Sequence, residues 1–268
     1  MSKKKPKKFR ETNTGKVLLF LVKTPVYAYR RIKKLKNFSE EKIEERKVEK
    51  KRGLIGSKYE GFKVLYSEKG DYFKWEKEVH DSDSRIGVLL GARGTGKTAF
   101  GIKFLENVYA KKKKRCYAMG FSRDEMPLWI NVVENINELK NDSFVLIDEG
   151  GILFSSRNFM SSANKLLGEL MLIARHKNLS ILFISQNSSN LDINILRQAD
   201  FLVLKPSSLL QKNFERKIIQ KIYDEAELNF EKFGEDKGVT HIYSGKFKGF
   251  VSNPLPSFWG EKISKGFE

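Results

Sequence analysis

Short apolar runs alternate along residues 85–251 with longer segments whose apolar positions recur every three or four residues. The runs Arg85–Leu90, Cys116–Met119, Phe144–Ile147, Ser180–Ser185 and Phe201–Leu204 are apolar almost throughout, as strands buried on both faces of a parallel sheet must be. Between them, residues 99–109 place apolar side chains at 100, 104, 105 and 108, and residues 162–177 at 166, 167, 170, 171, 173 and 174, each set forming one face of a helix. A short helix is expected over 193–199. Residues 208–232, with Leu209, Leu210, Phe214, Ile218, Ile219, Ile222, Tyr223, Leu228 and Phe230, read as one long amphipathic helix. The stretch 121–129 carries Pro127 and no period, which predicts a loop, with a helix near 130–139 after it. Residues 239–243 and 247–251 flank Ser244-Gly-Lys-Phe and predict a terminal hairpin. The aromatic-rich stretch 59–79 predicts short strands leading into the core. Strands alternating with helices imply an α/β fold with a mainly parallel sheet.

Ahead of this pattern lies a segment of different character. Residues 1–16 are too charged and too poor in apolar groups to offset the entropy of ordering, and read as a disordered basic tail. The strip Val17–Val22, Lys23-Thr-Pro25, Val26–Tyr29 falls short of the ~20 apolar residues of a spanning helix, and its six-residue run is short for a secretory signal. Two readings remain for it: a segment in a membrane interface, or an apolar strip docked on protein. Residues 39–52 begin with a Ser39 cap and run from glutamates to cations, which suits an exposed charged helix or linker. The organisation expected is a basic arm over 1–58 and a folded domain over 59–268.

Charge follows that division. The chain carries +18 formally, but residues 1–58 hold 20 Lys and Arg against 6 Glu, a net of +14. The remaining 31 basic and 27 acidic residues leave +4 for the folded part. Phosphate-backbone contacts from that part would come from a few loops rather than a wholly basic surface. Lys111 to Arg115 reads as a solvated helix end. A single cysteine, Cys116, excludes an intramolecular disulfide, and His80, His176 and His241 are too scattered for a structural metal. An intracellular, cytoplasmic chain is expected, peripheral to a membrane or associated with a virion if the arm makes such contacts.

The candidate chemistry centres on Gly91-Ala-Arg-Gly-Thr-Gly-Lys-Thr98, which fits the phosphate-loop pattern G-x-x-x-x-G-K-[ST] between a predicted strand and a predicted helix. Gly91, Gly94 and Gly96 let the backbone curl so that N–H groups of the loop, including those of Arg93, Thr95 and Ala99 at the helix start, face phosphate oxygens. Lys97 reaches the outer phosphates of ATP, and the Thr98 hydroxyl helps to hold magnesium. About 50 residues on, the run Phe144–Ile147 ends in Asp148-Glu149. Carboxylates at the C-terminal end of a parallel strand suit a metal ligand, Asp148, and a water-activating base, Glu149. Ser180–Ser185 is followed by Gln186, which is either a sensor of the outer phosphate or attacking water, or a cap of its loop. Arg175 lies near the edge of the buried stripe of its helix.

The strand between the phosphate loop and Asp148-Glu149, with Gln186 closing the strand after them, resembles the FtsK/HerA group of ring-forming motor ATPases over roughly residues 85–206. Within that group, Asp148-Glu149-Gly-Gly-Ile-Leu-Phe-Ser-Ser-Arg157, Arg175-His176, Ile184-Ser-Gln186, Asp192 and Arg197 look most like zonular occludens toxin-like ATPase domains and viral genome-packaging ATPases. The resemblance implies a P-loop NTPase three-layer sandwich of the ASCE type, with Lys97 and Thr98 on phosphate and magnesium, Asp148 on magnesium, Glu149 as base and Gln186 as sensor. It further implies an arginine supplied by a neighbouring subunit, Arg175 first, Arg157 second and Arg197 third. The implied activity is ATP hydrolysis driving DNA packaging or transfer by a homo-oligomeric ring, a hexamer in the family pattern. The implied partners are double-stranded DNA and capsid or membrane-associated assembly proteins. The alternative is a membrane-peripheral assembly ATPase whose arm binds acidic lipid and whose nucleotide state switches partner binding.

Overall fold

A computed structural model describes residues 42–150 and 161–260, with the backbone alone over 161–167. The chain divides into two compact units, Met1–Lys51 and Arg52–Glu268. In the first, residues 42–51 are helical and mostly exposed, and Lys47 pairs with Glu44 at 3.4 Å. The apolar strip at 17–29 and the Ser39 cap lie outside the described residues.

The second unit is built on a nine-stranded sheet: β1 (Lys63–Lys69), β2 (Ile86–Leu90), β3 (Arg115–Met119), β4 (Ile130–Val132), β5 (Ser143–Asp148), β6 (Leu179–Ile184), β7 (Phe201–Leu204), β8 (Val239–Ser244) and β9 (Lys248–Ser252). Their order across the sheet is β1-β9-β8-β7-β2-β6-β5-β3-β4. The six strands from β7 to β4 run parallel, and β8, β9 and β1 extend the sheet antiparallel. Strand β2 thus lies between β6 and β7, and β6 separates it from β5.

Because side chains alternate across a strand, each central strand feeds two cores. On one face Leu89, Phe144, Leu146, Leu182 and Val203 pack with α1 (Tyr72–Asp81) and α2 (Lys97–Lys112) through Trp75, Phe100 and Phe104. On the other face Val88, Val145, Ile147, Ile181 and Phe183 meet α3 (Ser161–His176), α4 (Ile193–Gln198) and α6 (Lys217–Lys232) through Leu170, Ile195 and Ile219. The result is the expected three-layer α/β sandwich.

Three local expectations need correction. Only Lys63–Lys69 of the stretch 59–79 is a strand; Tyr72–Asp81 is helix α1. Asp71 caps it by accepting the Lys74 N–H at 3.0 Å, and Tyr72, Trp75, Glu76, Val79 and His80 form its buried face at helical spacing. The helix expected near 130–139 is strand β4, paired with β3 from Cys116 and Ile130 onward, followed by a 3-10 turn at Ile136–Glu138. Its apolar residues serve the two faces of the sheet, Ile130 in one core and Val133 and Leu139 in the other. The long helix over 208–232 is broken into α5 (Leu209–Phe214) and α6. At the break the Glu215 carboxylate accepts the Ser188 N–H at 2.7 Å, while the Arg216 guanidinium donates to the carbonyls of Ser188 and Leu191. These bonds across the fold draw the two residues out of helical register.

Candidate active site

Loop 91–96 carries the chain from the end of β2 to the start of α2. Gly94 and Gly96 have φ of 79° and 84°, the left-handed region that side chains resist, so the tight curl depends on glycine at both. The loop is tied down from beside it. Ala92 N–H donates to Pro206 O at 3.0 Å, and the Thr95 hydroxyl to Ala92 O at 2.7 Å. Such a curl opening into a helix N-terminus presents backbone donors and a positive dipole end to an anion. Arg93 is exposed at the loop tip, Thr98 is half-buried and Ala99 is buried in the first turn of α2.

Lys97 opens α2 and folds back over the loop, its Nζ donating to the carbonyls of Gly91 and Ala92 at 2.8 Å each. Burial pushes its ammonium down to about 8, against the opposing pull of Asp148. These bonds to neutral carbonyls can be exchanged for bonds to a phosphate without unmaking an ion pair.

Sheet register brings the carboxylates to the same edge. Asp148 is level with Ile184, and Ile184 with Leu89, so the ends of β5, β6 and β2 form one line. The Thr98 hydroxyl lies 3.5 Å from Asp148 Oδ2, while Asp148 Oδ1 accepts the Gly150 N–H at 3.0 Å. The two residues singled out as metal ligands, fifty positions apart in sequence, therefore offer adjacent hard oxygen donors. Glu149 follows, only 9% exposed. Burial raises its carboxyl above the ordinary range, the Ser185 side-chain hydrogen bond lowers it, and the neighbouring Asp148 charge raises it again. A carboxyl raised in this way is better matched to proton transfer near neutrality than an ordinary glutamate.

Gln186 stands at this edge beyond β6, with an exposed side chain and a backbone carbonyl that accepts from Gln211 Nε2. The loop is capped by Asn187 instead, whose side chain accepts the Ser189 N–H at 2.8 Å. Arg175 and Arg197 lie elsewhere. Both are exposed near the C-terminal ends of α3 and α4, which lead into the starts of β6 and β7. Six residues of β6, roughly 20 Å of strand, separate that edge from the phosphate loop. Arg157 lies outside the described residues.

Two further residues belong to this edge without a motif to mark them. Ser185, at the end of β6, holds the Glu149 carboxyl back from part of its rise, while its hydroxyl donates to Asn187 O at 3.0 Å. Lys205, directly after the run Phe201–Leu204, is completely buried beside the loop. A lysine ending a buried strand was the available signal.

No helix among the described residues is long and apolar enough to cross a membrane, and no group of three His, Cys, Asp or Glu there is placed to hold a metal by itself. No protein-family model matches the chain, and no curated protein matches it. Among solved structures it is similar to the genome packaging NTPase of Sulfolobus turreted icosahedral virus 2 in complex with AMPPCP. That likeness has a TM-score of 0.44 and 17% identity, covering 65% of this chain and 100% of the other. It is also similar to the conjugation coupling protein TcpA of pCW3, a monomer form with ATPγS, with a TM-score of 0.44 and 12% identity, over 69% of this chain and 64% of that one.

Proposed function

We propose that this chain is a magnesium-dependent ATPase that assembles with copies of itself into a ring and moves double-stranded DNA. The hydrolytic part rests on one observation: the curled loop with Lys97, the Thr98–Asp148 oxygen pair and the buried Glu149 meet at a single sheet edge. The donor set fits magnesium, since a hydroxyl and a carboxylate supply two hard oxygens and leave other positions to water and phosphate. Bound there, the ion would neutralise phosphate charge and orient the outer phosphoryl group.

The chain's own residues supply the rest. Loop N–H groups and Lys97 hold the phosphates, Lys97 turning from the Gly91 and Ala92 carbonyls to phosphate oxygen. Glu149 as carboxylate takes the proton of the attacking water on a side-chain oxygen. Gln186, exposed at the same edge, senses the outer phosphate. Arg175 and Arg197 stand at the opposite edge from their own subunit's site, so in the proposed ring either would act on a neighbour's site, with Arg175 as the first choice. The net +14 of residues 1–58 supports a polyanionic partner.

The test is steady-state ATP hydrolysis by the purified chain with and without double-stranded DNA, at two salt concentrations. The expected result is stimulation by DNA that fades as salt rises. Hydrolysis indifferent to DNA but raised by anionic liposomes would replace the DNA motor with a membrane-peripheral assembly ATPase. Absence of hydrolysis in every condition would sink the ATPase itself.

A further inference from the structure

Lys205 is fully buried, and its side chain lies against the phosphate loop. Its backbone N–H continues the ladder to Leu90 O at 2.8 Å, so it lies directly beside the point where the loop leaves β2. Its β-carbon sits 2.5 Å from where a β-carbon on Gly91 would be, and its Nζ 4.0 Å from where one on Gly96 would be. The side chain thus passes along the loop from its first glycine to its last.

All three ammonium protons have acceptors: Gly238 O at 3.1 Å, Val239 O at 3.2 Å and Asn253 Oδ1 at 2.7 Å. Every one of these is neutral. A neutral amine has two protons for three acceptors, so the site is built for the charged form. The charged groups around it do not neutralise it. Asp236 exerts a field on it, but one carboxylate oxygen of Asp236 takes the Gly238 N–H at 2.7 Å and the Ser252 hydroxyl at 2.8 Å. From α2 come Lys97 and the positive end of the helix, and Lys237 adds a further cation to the adjoining turn. On α6, the Tyr223 hydroxyl donates to the Lys205 carbonyl rather than serving the amine. Burial accordingly pushes the ammonium down to about 7, with Asp236 opposing. A buried charge without a bonded counter-ion is costly, and tying β8 to β9 would need only a neutral donor.

We propose that Lys205 is a second cation of the nucleotide site, acting from beside the loop, with the polyphosphate of the bound nucleotide as its counter-charge. Lys205 touches no phosphate. It adds positive potential where the chain of phosphates lies, and through its bonds to Gly238, Val239 and Asn253 it makes the antiparallel extension part of the nucleotide site. The inference rests on the reading of loop 91–98 as a nucleotide site.

The experiment is a ladder of AMP, ADP and ATP competing with a fluorescent nucleotide on the full chain without magnesium, for the native protein, Lys205→Met and Asn253→Asp. Lys205→Met removes the charge and three hydrogen bonds. Asn253→Asp keeps the stem and gives the ammonium a carboxylate in place of the amide oxygen 2.7 Å away, so the field is cancelled with only the amide bond to Pro254 O at 3.2 Å lost. Thermal melts run alongside. In both variants affinity should fall by less than about twofold for AMP, about threefold for ADP and about tenfold for ATP, as a Coulombic effect scales with ligand charge. An equal loss at every rung, or unchanged affinities in a folded Asn253→Asp chain, would reduce Lys205 to a structural tie and overturn the proposal. If the native chain binds none of the three, the nucleotide site itself is wrong, a failure distinct from a flat ladder.

Discussion

The two edges of the parallel sheet treat charge in opposite ways. At the edge where the strands begin, charges pair with charges: Arg85 with Asp200 at 2.9 Å, Lys112 with Asp81, and Lys246 with Glu78, every side chain more than a third exposed. Such pairs are content in water and ask for nothing further. At the edge where the strands end, Lys97, Asp148, Glu149 and Lys205 are each no more than 9% exposed, and the two lysines bond to neutral oxygens. Folding has buried the two lysines there without bonding either to a carboxylate. The difference teaches where to look for chemistry, because a buried ammonium bonded only to neutral groups costs stability that an ordinary core has no reason to forgo.

The sharpest way to break the comparison is Lys97→Ala. It should abolish nucleotide binding and turnover together, read by filter binding and phosphate release; retained turnover would move the active site away from this edge. Glu149→Gln comes next. It should leave ATP binding intact and lower the turnover rate by about a thousandfold, the scale of a lost general base. Loss of binding instead would make Glu149 a structural residue. Arg175→Ala tests whether the opposite edge takes part through a neighbour. Turnover should fall by about a hundredfold, as for one charge-stabilising donor, and partly return when the variant is mixed with Glu149→Gln, which supplies Arg175. Intact assemblies without rescue would count against that assignment.

Smaller effects concern stability. His80 and His241 are buried with ring nitrogens lacking hydrogen-bond partners among the described residues, and burial lowers both to about 4. The unfolded chain therefore binds protons that the folded chain refuses, and stability falls as pH drops from about 6.5 to about 4. His241 stacks on Phe250 with ring centroids 4.6 Å apart, so His241→Phe should keep the packing and flatten part of that acid slope in melts run across the range. The smallest effect is expected from Arg85→Ala, a shift in melting temperature of no more than about 3 °C, in keeping with an exposed ion pair. A large shift would mean the two edges differ less than their burial suggests.

Much of this was legible along the chain, and the reason is locality. Runs such as Phe144–Ile147 and Ile181–Ile184 announce strands buried on both faces, and glycines 91, 94 and 96 with Lys97 and Thr98 carry their geometry within eight residues. Asp148 and Glu149 could be set at the same edge because parallel strands must all end on one side. What the chain order hid was adjacency. It places the segment of β3 between the phosphate loop and the carboxylates, whereas in the sheet β6 is the strand between β2 and β5, and this is what brings Ser185 against Glu149. The break at Glu215 depends on Ser188, 27 positions earlier, and the burial of Lys205 on Asn253, 48 positions later. Sequence by itself determined the elements whose cause lies in their own residues: the parallel strands, the phosphate loop and the two carboxylates. Only the tertiary structure decided which charges would be buried beside one another, because desolvation and hydrogen-bond supply are set by neighbours that the fold, not the chain, puts in place.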